Sequence, residues 1–355
     1  MSKLYLGVLS GTSMDAIDVA AVCFDAIQPK IHATYSATVA PGYKETYLRI
    51  INSGQCSLNE LGELDQLTGE LFAEAINECI RINKLNKADI QAIGSHGQTL
   101  WHAPQAKRPF SLQLGDPNVI AHRTGITTIA DFRRADMAAG GPGAPLAPIF
   151  HKAVFAVPTE SRCIINIGGF SNISVLEDGK HLGFDCGPGN CLMDYWVESH
   201  FNLDYDIDGK IAASGTVNHA LLTAMLDDPY FAQPAPKSTG REYFNTAWLQ
   251  EKLTACKQAD ISPTDIQATL LSLTVTSIAN AIKDYAAPST NVFLCGGGSK
   301  NLALRNLLGT QLEREILTTS ALGIEPDWVE AALFAWFAKQ NLGGVFGISG
   351  LKTST

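Results

Sequence analysis

The sequence has no run of about 18 uncharged apolar residues, the length a helix needs to cross a bilayer, so no membrane-spanning helix is expected. Its eight cysteines, at positions 23, 56, 79, 163, 186, 191, 256 and 295, include no C-x-x-C pair, which argues against a four-cysteine zinc site. A chain of this size needs no disulfide framework, so they read as reduced thiols, mostly small buried hydrophobes, in a cytoplasmic protein. There is no lysine- or arginine-rich run, and the net charge of −9 argues against nucleic acid as a partner. No G-x-x-x-x-G-K-[ST] appears, and no strand-linked G-x-G-x-x-G with a downstream acid, which removes the P-loop and dinucleotide readings. Short-period repeats and low-complexity tracts are absent too. The first residues, Met1-Ser-Lys-Leu-Tyr5, lead into a strand pattern and not a leader peptide.

What is present is a chain of 355 residues, 46% hydrophobic and 17% charged, the composition of a globular protein with large cores. That length exceeds what one core usually serves, so two domains are expected. Each half carries one glycine-centred hairpin signal. In the first, Lys3–Leu9 runs into Ser10-Gly-Thr-Ser-Met-Asp15 and a second apolar run follows, Ile17 to Phe24. In the second, Arg162–Ile167 runs into Gly168-Gly-Phe-Ser-Asn172, followed by Ile173–Leu176. A turn without bulky side chains lets backbone N–H groups approach an anion, and Ser, Thr and Asn add donors. Singly, each is equally an ordinary β-hairpin. As a pair, they suggest a polyphosphate gripped by two related domains. An acidic protein doing so needs a divalent cation, usually Mg²⁺.

Periodicity predicts strands over 3–9, 17–24 and about 31–39, and a helix from Ser57 to Ile82 with Leu61, Leu64, Leu71, Ala75 and Cys79 on its apolar stripe. Ile90–Gly94 is a short strand ending in Ser95-His-Gly-Gln-Thr99. Asp131 to Pro148, dense in Gly, Ala and Pro, reads as loop and crossover. Asn190 is placed to cap a helix to about His200, and 204–215 and 230–241 read as loops. Ser262-Pro-Thr-Asp265 starts a helix to about Ala286. Asn291–Cys295 is a strand ending in Gly296-Gly-Gly-Ser-Lys-Asn301, and Glu325-Pro-Asp starts a last helix through Lys339. The order argues for an α/β protein with mixed sheets and an internal duplication.

Several residues invite chemistry, each against a plainer reading. Asp185 follows Gly183-Phe184 at a strand end and precedes Gly187-Pro-Gly189, a rigid corner that could aim a carboxylate into a cleft. It could instead cap the next helix, though Asn190 is the better cap. Glu330 lies at helical spacing from Leu333, Phe334 and Phe337, a charge on an apolar stripe that needs an internal salt bridge or a ligand. Arg133 suits a carboxylate ligand or a surface ion pair. His96 reads equally as a base or as a turn-ordering residue, and Asp15 as a phosphate-loop residue or an Asx-turn. Asp18 is the better helper for Mg²⁺, through water. Three glycines at 296–298 exceed what a strand-to-helix turn needs.

Seven segments together resemble the anhydro-N-acetylmuramic acid kinase family, of the sugar-kinase/Hsp70/actin superfamily. They are Ser10–Asp15 with Asp18, His96–Thr99, Asp131–Arg134 with Gly140–Pro145, Asn166–Asn172, Asp185–Asn190, Cys295–Asn301 and Glu325–Glu330. One departure is Ala16, where the family usually has Gly after Ser-Met-Asp; a slightly altered turn with retained function is expected. The resemblance implies two actin-like (RNase H-like) α/β domains with mixed sheets flanked by helices and a ligand cleft between them. Boundaries are expected at 1–132 and 133–340, with the tail 341–355 returning to the first domain. It implies ATP as cofactor with Mg²⁺. ATP would contact Gly11, Thr12, Ser13, Met14, Asp15 and Asp18, then Gly168, Gly169, Ser171 and Asn172, and finally Gly296, Gly297, Gly298 and Asn301. The sugar would contact His96, Gln98, Arg133 and Glu330, and Asp185 would be the general base. The implied reaction opens 1,6-anhydro-N-acetylmuramic acid with water and phosphorylates it at O6, giving N-acetylmuramate 6-phosphate and ADP in cell-wall recycling. The rival readings are another small-molecule kinase of the superfamily, or an actin- or Hsp70-like ATPase switch. Homodimerisation is left open.

Overall fold

The computed structural model describes residues 3–11, 14–25, 29–177, 180–256, 261–288 and 290–342. The chain forms two units, one running to Phe150 and resuming at Trp328, the other His151–Asp327. The division thus falls at 150/151 and not at 132/133. The last helix belongs to the first unit, where the sequence had placed it in the second. The tail from residue 343 lies outside the described residues.

The first unit opens with β1 (Leu4–Ser10), β2 (Ala16–Cys23) and β3 (Lys30–Thr38), an antiparallel meander. Helices α1 (Pro41–Ser53) and α2 (Leu58–Ile82) follow. The Ser57 hydroxyl accepts from Glu60 N at the start of α2, and Leu64, Phe72, Ile76 and Cys79 form its buried face. Next come β4 (Ile90–Ser95), the hairpin β5 (Gln98–Ala103) and β6 (Phe110–Leu114), then α3 (Pro117–Thr124), β7 (Thr128–Ile129) and α4 (Phe132–Ala138), and the division at 150/151 falls within α5 (Ala147–Phe155). The sheet order is β3-β2-β1-β4-β7, with β4 parallel to β1 and β7. The stretch expected as loop over 131–148 contains α4. The breakers begin only at Gly140, and Phe132–Ala138 is made of residues a helix accepts.

The second unit repeats this plan. Its strands are β8 (Arg162–Ile167), β9 (Phe170–Glu177), β10 (Lys180–Pro188), β11 (Asn291–Cys295) and β12 (Ile316–Thr318), ordered β10-β9-β8-β11-β12. Between β10 and β11 lie α6 (Cys191–Phe201), α7 (Lys210–Ser214), α8 (His219–Leu226), α9 (Pro229–Ala232), α10 (Thr246–Ala255) and α11 (Pro263–Tyr285). The expected loops over 204–215 and 230–241 therefore hold two short helices, α7 and α9. Asp206 accepts from the N–H groups of Ile211 and Ala212 at the first and Asp228 from that of Tyr230 at the second, so side-chain caps make up for short length. After β11 come α12 (Leu302–Leu312) and, in the first unit, α13 (Val329–Asn341).

Two glycines explain the return of α13. Gly7 and Gly94 pair side by side on β1 and β4. A β-carbon on Gly7 would overlap the Ala331 carbonyl, and one on Gly94 the Phe334 carbonyl. The helix backbone rests directly on the sheet there, and Phe334 and Phe337 stack against Phe132 at 5.8 and 5.0 Å.

Candidate active site

In the first unit, the ends of β1 and β4 carry polar groups into a buried setting. Ser10 and Ser95 are buried, and neither hydroxyl has a hydrogen-bond partner among the described residues. Gln98 is 2% exposed and its Oε1 is also unpartnered. Such groups cost free energy unless something satisfies them. Beside them, His96 donates from Nδ1 to the Gly97 carbonyl at 2.9 Å, which leaves Nε2 to accept from Arg133 Nε at 2.9 Å. Arg133 Nη1 donates to the Gly143 carbonyl at 2.9 Å, and Asp136 Oδ2 accepts from Gly143 N at 2.8 Å. The guanidinium plane is thus set by a histidine on one side and a braced loop on the other. Burial, and then the Arg133 charge, lower the His96 pKa to about 3, so the ring is neutral and acts as an acceptor. Both nitrogens are committed, which makes His96 an orienter of Arg133 and a poor base. Phe334 packs on the His96 ring at 4.7 Å, and Glu330 lies one turn before Phe334 on the same face of α13. Arg133 and His96 are thus joined, and Glu330 stands one helical turn from the Phe334 that packs on His96.

The first glycine turn is described in part; Thr12 and Ser13 lie outside the described residues. A β-carbon on Gly11 would meet nothing within 4 Å, so its backbone is open to approach. Met14, at φ 56°, is 2% exposed and packs with Tyr43, Tyr47 and Leu64, so its side chain anchors the turn in the core. Ala16 is strand residue paired with Thr38, and the left-handed position of the turn falls on Met14 instead. Asp15 is exposed and paired with Lys44 at 2.7 Å. Asp18, on β2, accepts from the Ser36 hydroxyl at 2.7 Å.

In the second unit, the Gly168-Gly169 turn is pinned from behind. The Gly168 carbonyl accepts from Asn190 N at 2.8 Å, and that of Gly169 from Gly189 N at 2.9 Å and Cys191 N at 3.0 Å. Ser171 is buried and donates to the Gly187 carbonyl at 3.3 Å, a structural use of its hydroxyl. Asn172 Oδ1 is buried without a partner among the described residues, and Asn172 sits directly across from Asp185 in the β9–β10 pairing, so the two side chains share a face. Asn190 precedes α6 but makes no side-chain cap.

Asp185 lies within β10, just before a register shift, and is 6% exposed. Its Oδ2 accepts from the Ser238 hydroxyl and from Thr239 N, both at 3.0 Å. Its N–H donates to the Lys237 carbonyl at 2.9 Å, and its own carbonyl accepts from the Tyr230 hydroxyl at 2.6 Å. Sequence reasoning missed Tyr230, Ser238 and Thr239. Lys237-Ser-Thr-Gly240 shares Ser, Thr and Gly with the first glycine turn, but nothing in its sequence points to a carboxylate partner.

The triple glycine divides by role. Gly296 has φ 76° and its β-carbon would strike Asn166 and the Ile167 carbonyl, while Gly298 presses on the Ile167 side chain. Packing alone explains those two. Only Gly297 faces open space. Asn301 caps α12, accepting from Leu304 N at 3.0 Å.

The matching five-stranded sheets, each three antiparallel strands extended by two parallel ones, define a duplicated actin-like α/β protein. Component A of the (R)-2-hydroxyglutaryl-CoA dehydratase of Acidaminococcus fermentans shares this fold, with a TM-score of 0.51 at 14% identity over 96% of this chain and 99% of that one. Within that class, the sequence model of anhydro-N-acetylmuramic acid kinase matches residues 3–353. A protein of that name from Coxiella burnetii (strain RSA 493 / Nine Mile phase I) is 46% identical over 99% of this chain and 95% of its own length. One from Pasteurella multocida is 45% identical over 99% and 94%. The chain belongs to the anhydro-N-acetylmuramic acid kinase family.

Proposed function

We propose that the chain is an ATP- and Mg²⁺-dependent kinase that opens 1,6-anhydro-N-acetylmuramic acid with water and phosphorylates it at O6, in peptidoglycan recycling. The observation that carries this beyond family membership is the buried polar atoms without a partner among the described residues: those of Ser10, Ser95 and Gln98 in the first unit, which also holds the ordered Arg133, and that of Asn172 in the second, across from Asp185. A ligand rich in hydroxyl, amide and phosphate groups would satisfy them. Gly11 in the first unit and Gly297 in the second each leave backbone open to approach, as a nucleotide ligand needs.

ATP supplies the transferable phosphoryl group, and Mg²⁺ its charge neutralisation, when bound. The backbone amides at Gly11, Gly168 and Gly169 would hold phosphate oxygens, and Asp18 would hold the cation through water. Arg133 would pair with the lactyl carboxylate, its plane set by His96 and Gly143. Glu330 would accept hydrogen bonds from sugar hydroxyls. Asp185 would take a proton from water as that water bonds to the anomeric carbon and the bridge to O6 breaks. The freed O6 is then the acceptor for phosphate. The reading favours an enzyme over an ATP-driven switch because Arg133, Glu330 and Asp185 are chemistry for a small acidic sugar.

Cytoplasmic location is part of the same reading: all eight cysteines are free thiols, as a reducing compartment keeps them. No helix among the described residues is long and apolar enough to cross a membrane. The test is coupled ADP release with and without the anhydro sugar. ADP should form only when the sugar is present; ADP release that ignores the sugar would contradict the proposal.

A further inference from the structure

We infer that the segment Lys237–Thr239 is a built clamp for the Asp185 carboxylate, and that Ser238 is a positioning residue for the reaction proposed above. The inference rests on that reading of Asp185 as the base.

Three bonds join this segment to Asp185. The Ser238 hydroxyl and the Thr239 amide converge on one oxygen, Oδ2, and the Asp185 N–H returns a bond to the Lys237 carbonyl. Two donors on one oxygen, with the backbone tied alongside, fix the plane of the carboxylate. The segment is itself braced. Lys237 Nζ donates to the carbonyls of Tyr230 and Phe231, both at 3.1 Å, and sits 4.7 Å from the centre of the Tyr230 ring. Tyr230 donates its hydroxyl to the Asp185 carbonyl. Asp228, at the head of α9, then accepts from Tyr243, from Trp248 Nε1 at 2.8 Å and from Lys252 at 3.1 Å, which ties the assembly to α10. The carboxylate is therefore aimed by a rigid frame and not by a mobile loop.

The clamp also answers a charge problem. A neutral acid cannot accept a proton, and hydrogen bonds donated to the ionised form of a carboxylate favour that form. Titratable and charged groups among the described residues that act on it or on its clamp are Cys186 on its own strand, Tyr230 on α9, and Lys237 with Asp284 of α11. Burial raises the Cys186 and Tyr230 pKa values, so neither is a rival base near neutral pH. Burial lowers the pKa of Lys237, whose ammonium is spent on two carbonyls.

The test compares kcat against pH for the whole protein and for Ser238→Ala, Ser238→Gly and Ser238→Thr, with ATP, Mg²⁺ and the anhydro sugar saturating, normalised to folded protein. Losing a donor to the ionised carboxylate raises its pKa. The acidic limb of the Ala and Gly variants should move up by about one pH unit. Their kcat at neutral pH should fall roughly ten-fold through lost aim, with both KM values nearly unchanged. Ser238→Thr keeps the hydroxyl and should restore both. Asp185→Asn run in parallel separates the two claims. If it is inactive while Ser238→Ala and Ser238→Gly keep the normal limb and kcat, the clamp is wrong and the base stands. If Asp185→Asn is active, the base reading fails and takes the clamp with it.

Discussion

At the scale of single residues, the hydrogen bonds of His96 make it an orienting group. His96 could be read from sequence as a base, but its two nitrogens hold Gly97 and Arg133. His96→Ala should therefore raise the KM for the sugar and leave that for ATP nearly constant. Combined with Arg133→Ala it should cost little more than Arg133→Ala alone, because the two act as one unit. Additive losses in that double-mutant cycle would contradict the pairing. Glu330→Ala should weaken sugar binding by about 1.5–3 kcal/mol, one to two decades, since a hydrogen bond to a charged group is lost. Calorimetry showing unchanged sugar affinity with a lowered melting temperature would mark Glu330 as a structural ion pair. Asp185 stands out in the sequence because Gly, Pro and Asn crowd around a single acid. Its partners at 238 and 239 do not, because a turn rich in Ser and Thr looks alike whether it faces solvent or a carboxylate.

At the scale of elements, long periodic segments were legible and short capped ones were not. The helix from Ser262 to Ala286 and the strand Asn291–Cys295 stand where periodicity put them. The helices α7 and α9 have four or five residues each, too few to show a period, and rest on capping by Asp206 and Asp228. The seat of α13 was also hidden, because nothing local reveals that Gly7 and Gly94 receive a helix backbone. Gly94→Val should cost about 3 kcal/mol or more, since the added carbons meet main chain and not a movable side chain. Denaturant unfolding with an unchanged midpoint would contradict that contact. Gly169→Val should raise the KM for ATP without unfolding the protein, because β-branched bulk blocks backbone approach to phosphate. Unaltered ATP affinity in a folded variant would remove Gly169 from the nucleotide site.

At the scale of the whole molecule, duplication was legible from the two glycine hairpins, and the matching strand orders bear it out. Three histidines add a pH dependence that belongs to the fold. Burial lowers His96 and His151 to about 3 and His102 to about 4, from 6.5. As pH falls below 6.5 the unfolded chain takes up protons that the native state refuses, so each histidine lowers stability by about 1.4 kcal/mol per pH unit until its native pKa is reached. Stability measured by urea midpoints should decline from about pH 6.5 toward acid, and less steeply in His96→Gln; a flat profile would contradict the burial of these rings. The central claim is that one carboxylate, Asp185, makes ring opening and phosphoryl transfer a single process. The most direct test follows ADP and sugar products together in the native chain and in Asp185→Asn. The native chain should yield one ADP for each sugar opened. The variant should lose both products together, by about 10² or more, while still binding ATP and sugar. Near-normal turnover in the variant, or opened sugar accumulating without phosphate, would contradict the account.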